Sequence, residues 1–159
     1  VDILACDVAE HMGALAAQYN LPPELMRIEI TETAYTGESE AVDKLTADLH
    51  TRGFSTYMDD FGTGQSTLAM LKNVNVDVIK LDRTFVSVNG DHGRSTQIIS
   101  SMLEMAHSLH LPVVVEGVET NEQANMLRQM GARDAQGFLY YRPMPAKDFE
   151  ALLDGGNIN

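Results

Sequence analysis

One cysteine, Cys6, is all the thiol chemistry in this chain, so an internal disulfide and a cysteine-rich zinc site are both excluded. A reducing compartment suits such a chain, and the expectation is a cytoplasmic location, with any membrane attachment left to a longer parent. Basic residues are scarce as well: 11 Lys and Arg stand against 23 Asp and Glu, for a net charge of −12. A nucleic-acid polymer needs clustered cations along its phosphates, and an anionic membrane surface needs the same, so neither is an expected partner. An anionic small molecule stays open, because bound divalent cations can invert a local field. No apolar run approaches the roughly 20 residues of a membrane-spanning helix. No basic-then-apolar leader opens the sequence, no repeat interrupts it, and no Pro/Ser linker divides it. The first residue is Val1 rather than methionine, and the expectation is an excised piece of something longer, with one domain over 1–153 and a tail at 154–159.

What is present is an ordinary core-forming composition, 44% hydrophobic over 159 residues. Val8, Met12, Leu15, Ala16 and Tyr19 recur at helical spacing, which predicts a helix over 7–19. Apolar faces predict further helices at 38–51, 66–73, 95–109, 121–130 and 146–153, with Gly53 and Gly131 as C-terminal caps and Thr120 with Gln123 as a capping box. Between them, 26–31, 54–58, 76–81, 111–118 and 135–141 read as strands. Strand then helix, repeated, means an α/β fold of parallel βαβ units. A (β/α) barrel and an open doubly wound sheet both fit. Neither GxGxxG nor GxxxxGK[ST] occurs, so a nucleotide fold of those kinds has no support.

Each strand ends in charge. The first carries Glu29 and leads to Glu32, the second runs into Asp59 and Asp60, and the third gives Lys80 and Asp82. The fourth gives Glu116 and Glu119, and the fifth begins with Gln136. In parallel α/β proteins these strand ends converge on one face. Seven carboxylates gathered there must take up protons or bind cations, and hard divalent cations such as Mg²⁺ or Mn²⁺ prefer carboxylate oxygens. A pair of such ions bridged by an aspartate is the usual clamp for in-line attack on phosphorus. Adjacent aspartates in a regular strand point to opposite faces, so Asp59 and Asp60 reach one site only if the backbone bends, and Gly62 and Gly64 offer that freedom. Blander readings stand beside these: a solvated Asp-Asp-Gly turn, a Lys80–Asp82 pair, and acids of "EGVE" favouring a helix start. The five histidines fall away from the strand ends and read as surface or packing residues.

The stretches "IEITET", "DDFGTGQSTL", "VDVIKLDRTFV", "VEGVET" and "QGFLYYRPMP" occur in that order. Together they resemble the EAL domain family of bacterial cyclic di-GMP phosphodiesterases, over about residues 20–153. The resemblance implies a modified TIM barrel that uses two Mg²⁺ or Mn²⁺ ions to open cyclic di-GMP to linear pGpG. It implies metal ligation by Glu29, Asp59, Asp60 and Glu116, a water-holding role for Lys80 and a general-base role for Glu116. Glu32 resembles the anchor of the loop after "DDFG", and Asp82, Glu119 and Gln136 complete a polar ring. A homodimer, and an upstream GGDEF or sensory domain, are the partners it implies. The Glu-Ala-Leu motif of the family's first strand has no counterpart, since "EALL" at 150–153 falls in the last helix. The family's metal-binding asparagine would precede residue 1, so the expected fold is an incomplete barrel lacking its first strands. Gln65 and Val115 depart from the family's commoner tyrosine and alanine. A non-catalytic cyclic di-GMP-binding or protein-interaction module of the same fold is the alternative.

Overall fold

A computed structural model describes residues 7–37, 39–63, 71, 74–86 and 92–155. The elements, in chain order, are α1 (Val8–Gln18), β1 (Arg27–Thr31), α2 (Glu32–Gly37), α3 (Ser39–Thr51), β2 (Ser55–Phe61), β3 (Val78–Leu81), α4 (His92–Ser108), β4 (Val113–Val115), α5 (Asn121–Gln129), β5 (Asp134–Ala135) and α6 (Ala146–Asp154). Four helices end in the same turn. After α1, α3, α4 and α5 the chain passes through the left-handed region at Asn20, Gly53, His110 and Gly131. The next amide then reaches back to a carbonyl five residues earlier: Leu21 to Ala16, Phe54 to Leu49, Leu111 to Ala106 and Ala132 to Leu127. This closure satisfies carbonyls that the helix end would otherwise orphan and aims the chain into the sheet. The Thr120–Gln123 capping box opens α5 as its sequence predicts.

All five strands are parallel and lie in the order β1-β2-β3-β4-β5. A doubly wound sheet reverses its order at a switch point; sequential neighbours without reversal are the arrangement of consecutive barrel strands. Ile28, Ile30, Met58, Ile79, Leu81, Val113 and Val115 project to one face and pack against Val42, Ile99, Leu103 and Leu127 of the helices. Burying each such side chain contributes about 1.5–3 kcal/mol. Ala9 and Ala16 of α1 join Leu49 and Phe54 in a second cluster. The opposite, concave face is open. Arg27, Tyr57, Val78, Val114, Phe138 and Tyr140 line a cavity there of about 850 Å³. Among the described residues no helix is long and apolar enough to cross a membrane.

Several elements differ from the reading of the sequence. The short helix α2, with no apolar periodicity in "ETAYTG", follows β1 at once in a stretch where the sequence predicts no element. The third strand begins at Val78 because the Asp77 carboxylate turns back to accept from Thr56 N at 2.7 Å. His50 Nε2 joins the same cluster, 2.9 Å from Thr56 Oγ1 and 3.1 Å from Asp77 Oδ2, so it ties α3 to the strand starts. The fourth strand is three residues long, ended by Gly117 at φ 72°. The fifth keeps only Asp134–Ala135; the "GFLYY" expected to continue it folds into a turn, with Tyr140 N donating to Gly137 O. The expected 66–73 helix, apart from Leu71, lies outside the described residues, as do Gly64, Gln65, Asn89 and the terminal residues 1–6 and 156–159.

Candidate metal centre

The pairing of β2 with β3 decides where the paired aspartates go. Met58 stands opposite Ile79 and Phe61 opposite Leu81, so two residues, Asp59 and Asp60, face one, Lys80. This is a β-bulge, a device that bends a strand and re-aims its side chains. The extra residue is Asp60 itself, at φ 57° in the left-handed region that Asp tolerates better than most. The bend expected of the glycines after the pair thus lies one step earlier. Gly62 turns the chain next, at φ 93°, where any Cβ would run into the Phe85 ring.

Lys80 is the hub. It is 5% exposed, and its Nζ lies 2.8 Å from Glu29 Oε1, Asp59 Oδ1 and Glu116 Oε1. These come from β1, β2 and the residue after β4, whose amide continues the ladder by donating to Leu81 O. Burial works against the ammonium's charge, but the three carboxylate hydrogen bonds outweigh it and push the lysine well above its ordinary value. The Lys80–Asp82 pair is not formed; Asp82 instead accepts from Thr84 N at 2.8 Å and caps the turn Arg83–Phe85. Burial opposes ionisation of Asp82 too, yet the Thr84 hydrogen bonds and the Arg83 charge hold its carboxyl below the usual carboxylate range.

Asp59, Asp60 and Glu116 each offer a carboxylate oxygen, all within 4.8 Å of one another. Asp60 carries the strain of this crowding: partial desolvation, then the charges of Asp59 and Asp82, push its carboxyl up. Glu32, at the start of α2 and 3% exposed, accepts from Gly62 N at 2.9 Å and so fastens the chain just after the bulge. Glu119 is exposed; its amide donates to the Gln123 side chain at 2.7 Å. Gln136 ties the β5 exit to the β4 exit, with its N donating to Val115 O and its O accepting from Val118 N, and it borders the concave cavity. Two glycines outside the sequence-based set hold the Glu116 segment. A Cβ at Gly117 would overlap Arg83, and one at Gly137 would overlap the Val118 backbone. Their position directly after Glu116 and Gln136 is the sequence signal for them.

The EAL domain family model matches residues 3–143. Cyclic di-GMP phosphodiesterase RocR of Pseudomonas aeruginosa is 40% identical over 148 residues, 93% of this chain and 38% of that protein. The EAL domain of Mycobacterium smegmatis DcpA matches the fold with a TM-score of 0.86 at 33% identity, covering 95% of this chain and 68% of that one. Klebsiella pneumoniae BlrP1, solved as a manganese/cy-diGMP complex, matches with a TM-score of 0.80 at 33% identity, covering 86% of this chain and 35% of that one. The chain spans 17% to 38% of the length of the first curated relatives it matches. Sequence over nearly the whole chain and fold point the same way: this chain belongs to the EAL domain family, and its five parallel strands are part of that family's TIM-like barrel.

Proposed function

We propose that this chain carries the hydrolytic centre of a cyclic di-GMP phosphodiesterase, which opens the cyclic dinucleotide to linear pGpG. The observation that carries the reading is the bulge, which turns both Asp59 and Asp60 toward Glu116 beside a buried lysine. An all-oxygen donor set suits Mg²⁺ or Mn²⁺. Two oxygens on one Mg²⁺ lie at most about 4.2 Å apart. A cluster spread over 4.8 Å therefore closes onto such an ion with small side-chain movements. Asp59, Asp60 and Glu116 would hold the cations, with Glu29 as a further ligand beside Asp59. When bound, the metals would acidify a water and neutralise charge developing at phosphorus.

The chain's own groups divide the remaining work. Lys80 stays an ammonium, so it cannot act as a base; its three donors hold Glu29, Asp59 and Glu116, and it would turn one of them to the attacking oxygen once a bound cation takes over one of those carboxylates. The Glu116 carboxylate, positioned through its Oε1 contact with Lys80, accepts the proton. Glu32 keeps the post-bulge chain in place through Gly62 N. Asp82, Glu119 and Gln136 form the rim. A homodimer and an upstream regulatory domain belong to the same reading by family resemblance.

The test is incubation of the purified chain with cyclic di-GMP and Mn²⁺ while following pGpG by chromatography. Product is expected with the wild type, is expected to fall by at least about a hundredfold in Asp59→Asn, and is expected to vanish in EDTA. Equal turnover in wild type and Asp59→Asn would refute the bridging role. A second reading, a non-catalytic module that binds the dinucleotide or a protein, draws on the open concave face, where Phe138, Tyr140 and Tyr141 are exposed. It predicts binding with no pGpG at all.

A further inference from the structure

The mouth of the site has a surplus of negative charge. Lys80 is its buried cation, and all three of its contacts are taken by Glu29, Asp59 and Glu116. Metals held by those carboxylates would face one phosphodiester, and the second charge of a dinucleotide calls for a side-chain cation that is not already engaged. Arg83 is placed to be one. It opens the short turn that follows β3, and the Asp82 carboxylate fixes that turn by accepting from Thr84 N. Its stem does not simply extend into water. The stem lies across Gly117, the residue after Glu116, so closely that a Cβ on Gly117 would overlap Arg83 Cβ and lie 3.1 Å from its Cα. The positive φ of Gly117, 72°, is the backbone form that permits this approach. Arg83 is thus seated between the exits of β3 and β4, beside the proposed base.

Among the described residues its guanidinium is also uncommitted: no hydrogen bond or ion pair engages it, whereas Arg27 lies over the Tyr57 ring, Arg142 over the Phe138 ring, and Arg128 donates to Asn125. Its charge reaches Asp82, the residue before it at the exit of β3. Guanidinium presents a planar fork of donors that matches two oxygens of a phosphate.

We propose that Arg83 is a substrate-binding residue, grasping a phosphate of the cyclic dinucleotide at the rim between β3 and β4. This rests on the reading of the site as a cyclic di-GMP centre. The experiment is equilibrium binding of cyclic di-GMP by calorimetry in Ca²⁺, with the full chain as wild type, Arg83→Ala, Arg83→Lys and, as a remote control, Arg128→Ala. Arg83→Ala is expected to weaken binding about tenfold and to flatten its dependence on ionic strength, because a charge contact has been removed. Arg83→Lys should recover the salt dependence but only part of the affinity, since it keeps the charge and loses the fork. Arg128→Ala should match the wild type. Wild-type binding with an Arg83→Ala variant of equal affinity and equal salt slope would overturn the role of Arg83 alone. Failure of the wild type to bind would overturn it together with the cyclic di-GMP reading.

Discussion

Asp60 holds a backbone conformation that L side chains avoid, next to a neighbour of like charge. The left-handed form costs about 1 kcal/mol or less for an Asp, whose short side chain tolerates it. Without a cation, the raised carboxyl adds a charge penalty with a definite pH sign. A carboxyl raised on folding binds its proton more readily in the folded chain, so its contribution to stability is present below the unfolded value of about 3.9 and is lost as pH rises through the folded value. Asp60→Asn keeps the conformational tolerance and removes the charge. In the metal-free protein it should therefore raise the thermal midpoint at neutral pH, by about 0.5 kcal/mol or one to two degrees. The difference should vanish in acid. A variant less stable than wild type at neutral pH would show that Asp60 is not crowded by Asp59 and Asp82. The gathering of acids was legible in the sequence, because parallel strand ends share a face. That the backbone must bend near the aspartate pair was legible as well, but the form of the bend, a bulge at Asp60 rather than a turn at the glycines, was not. It arises from two residues of β2 facing one of β3, a property of the pair that neither strand shows alone.

At the scale of elements, the segment after β4 is held from both sides. Glu116 N donates to Leu81 O on one side, and Val118 N donates to Gln136 O on the other. Leu139 N then donates to Val118 O, which closes the turn after β5 onto the same stretch. Gly137 is what allows this contact, since a Cβ there would overlap the Val118 backbone. Gly137→Ala should push the β5 exit away and cost about 2 kcal/mol, an overpacking effect, and denaturant unfolding would measure it. A change below a few tenths of a kcal/mol would mean that the two exits part freely. This packing also explains the shortened fifth strand: the aromatic run "FLYY" has strand-like composition, and periodicity cannot separate a strand from a turn braced by tertiary hydrogen bonds. The short α2 escaped for the opposite reason. "ETAYTG" shows no apolar stripe, and its first residue, Glu32, is buried to serve Gly62 rather than the core.

Across the whole molecule, one face of the sheet builds the hydrophobic core and the other carries the candidate site. The sequential strand order brings Glu29, Asp59, Lys80 and Glu116, from four different strands or strand exits, to one edge of the concave face. That the carboxyl ends of parallel strands share one face was enough to foresee that convergence. The choice between a barrel and a doubly wound sheet was not decidable from periodicity, because both are made of βαβ units; strand order decides it. The net charge of −12 is consistent with the site, which concentrates carboxylates where a cation can offset them. The most direct test is a Mn²⁺ titration of the metal-free chain, read by the loss of the free-ion electron-spin signal, for wild type, Asp59→Asn and Glu116→Gln. Saturable binding in the wild type, weakened at least about tenfold in each variant, is the predicted result. Equal binding in all three proteins would contradict the metal centre on which this account rests.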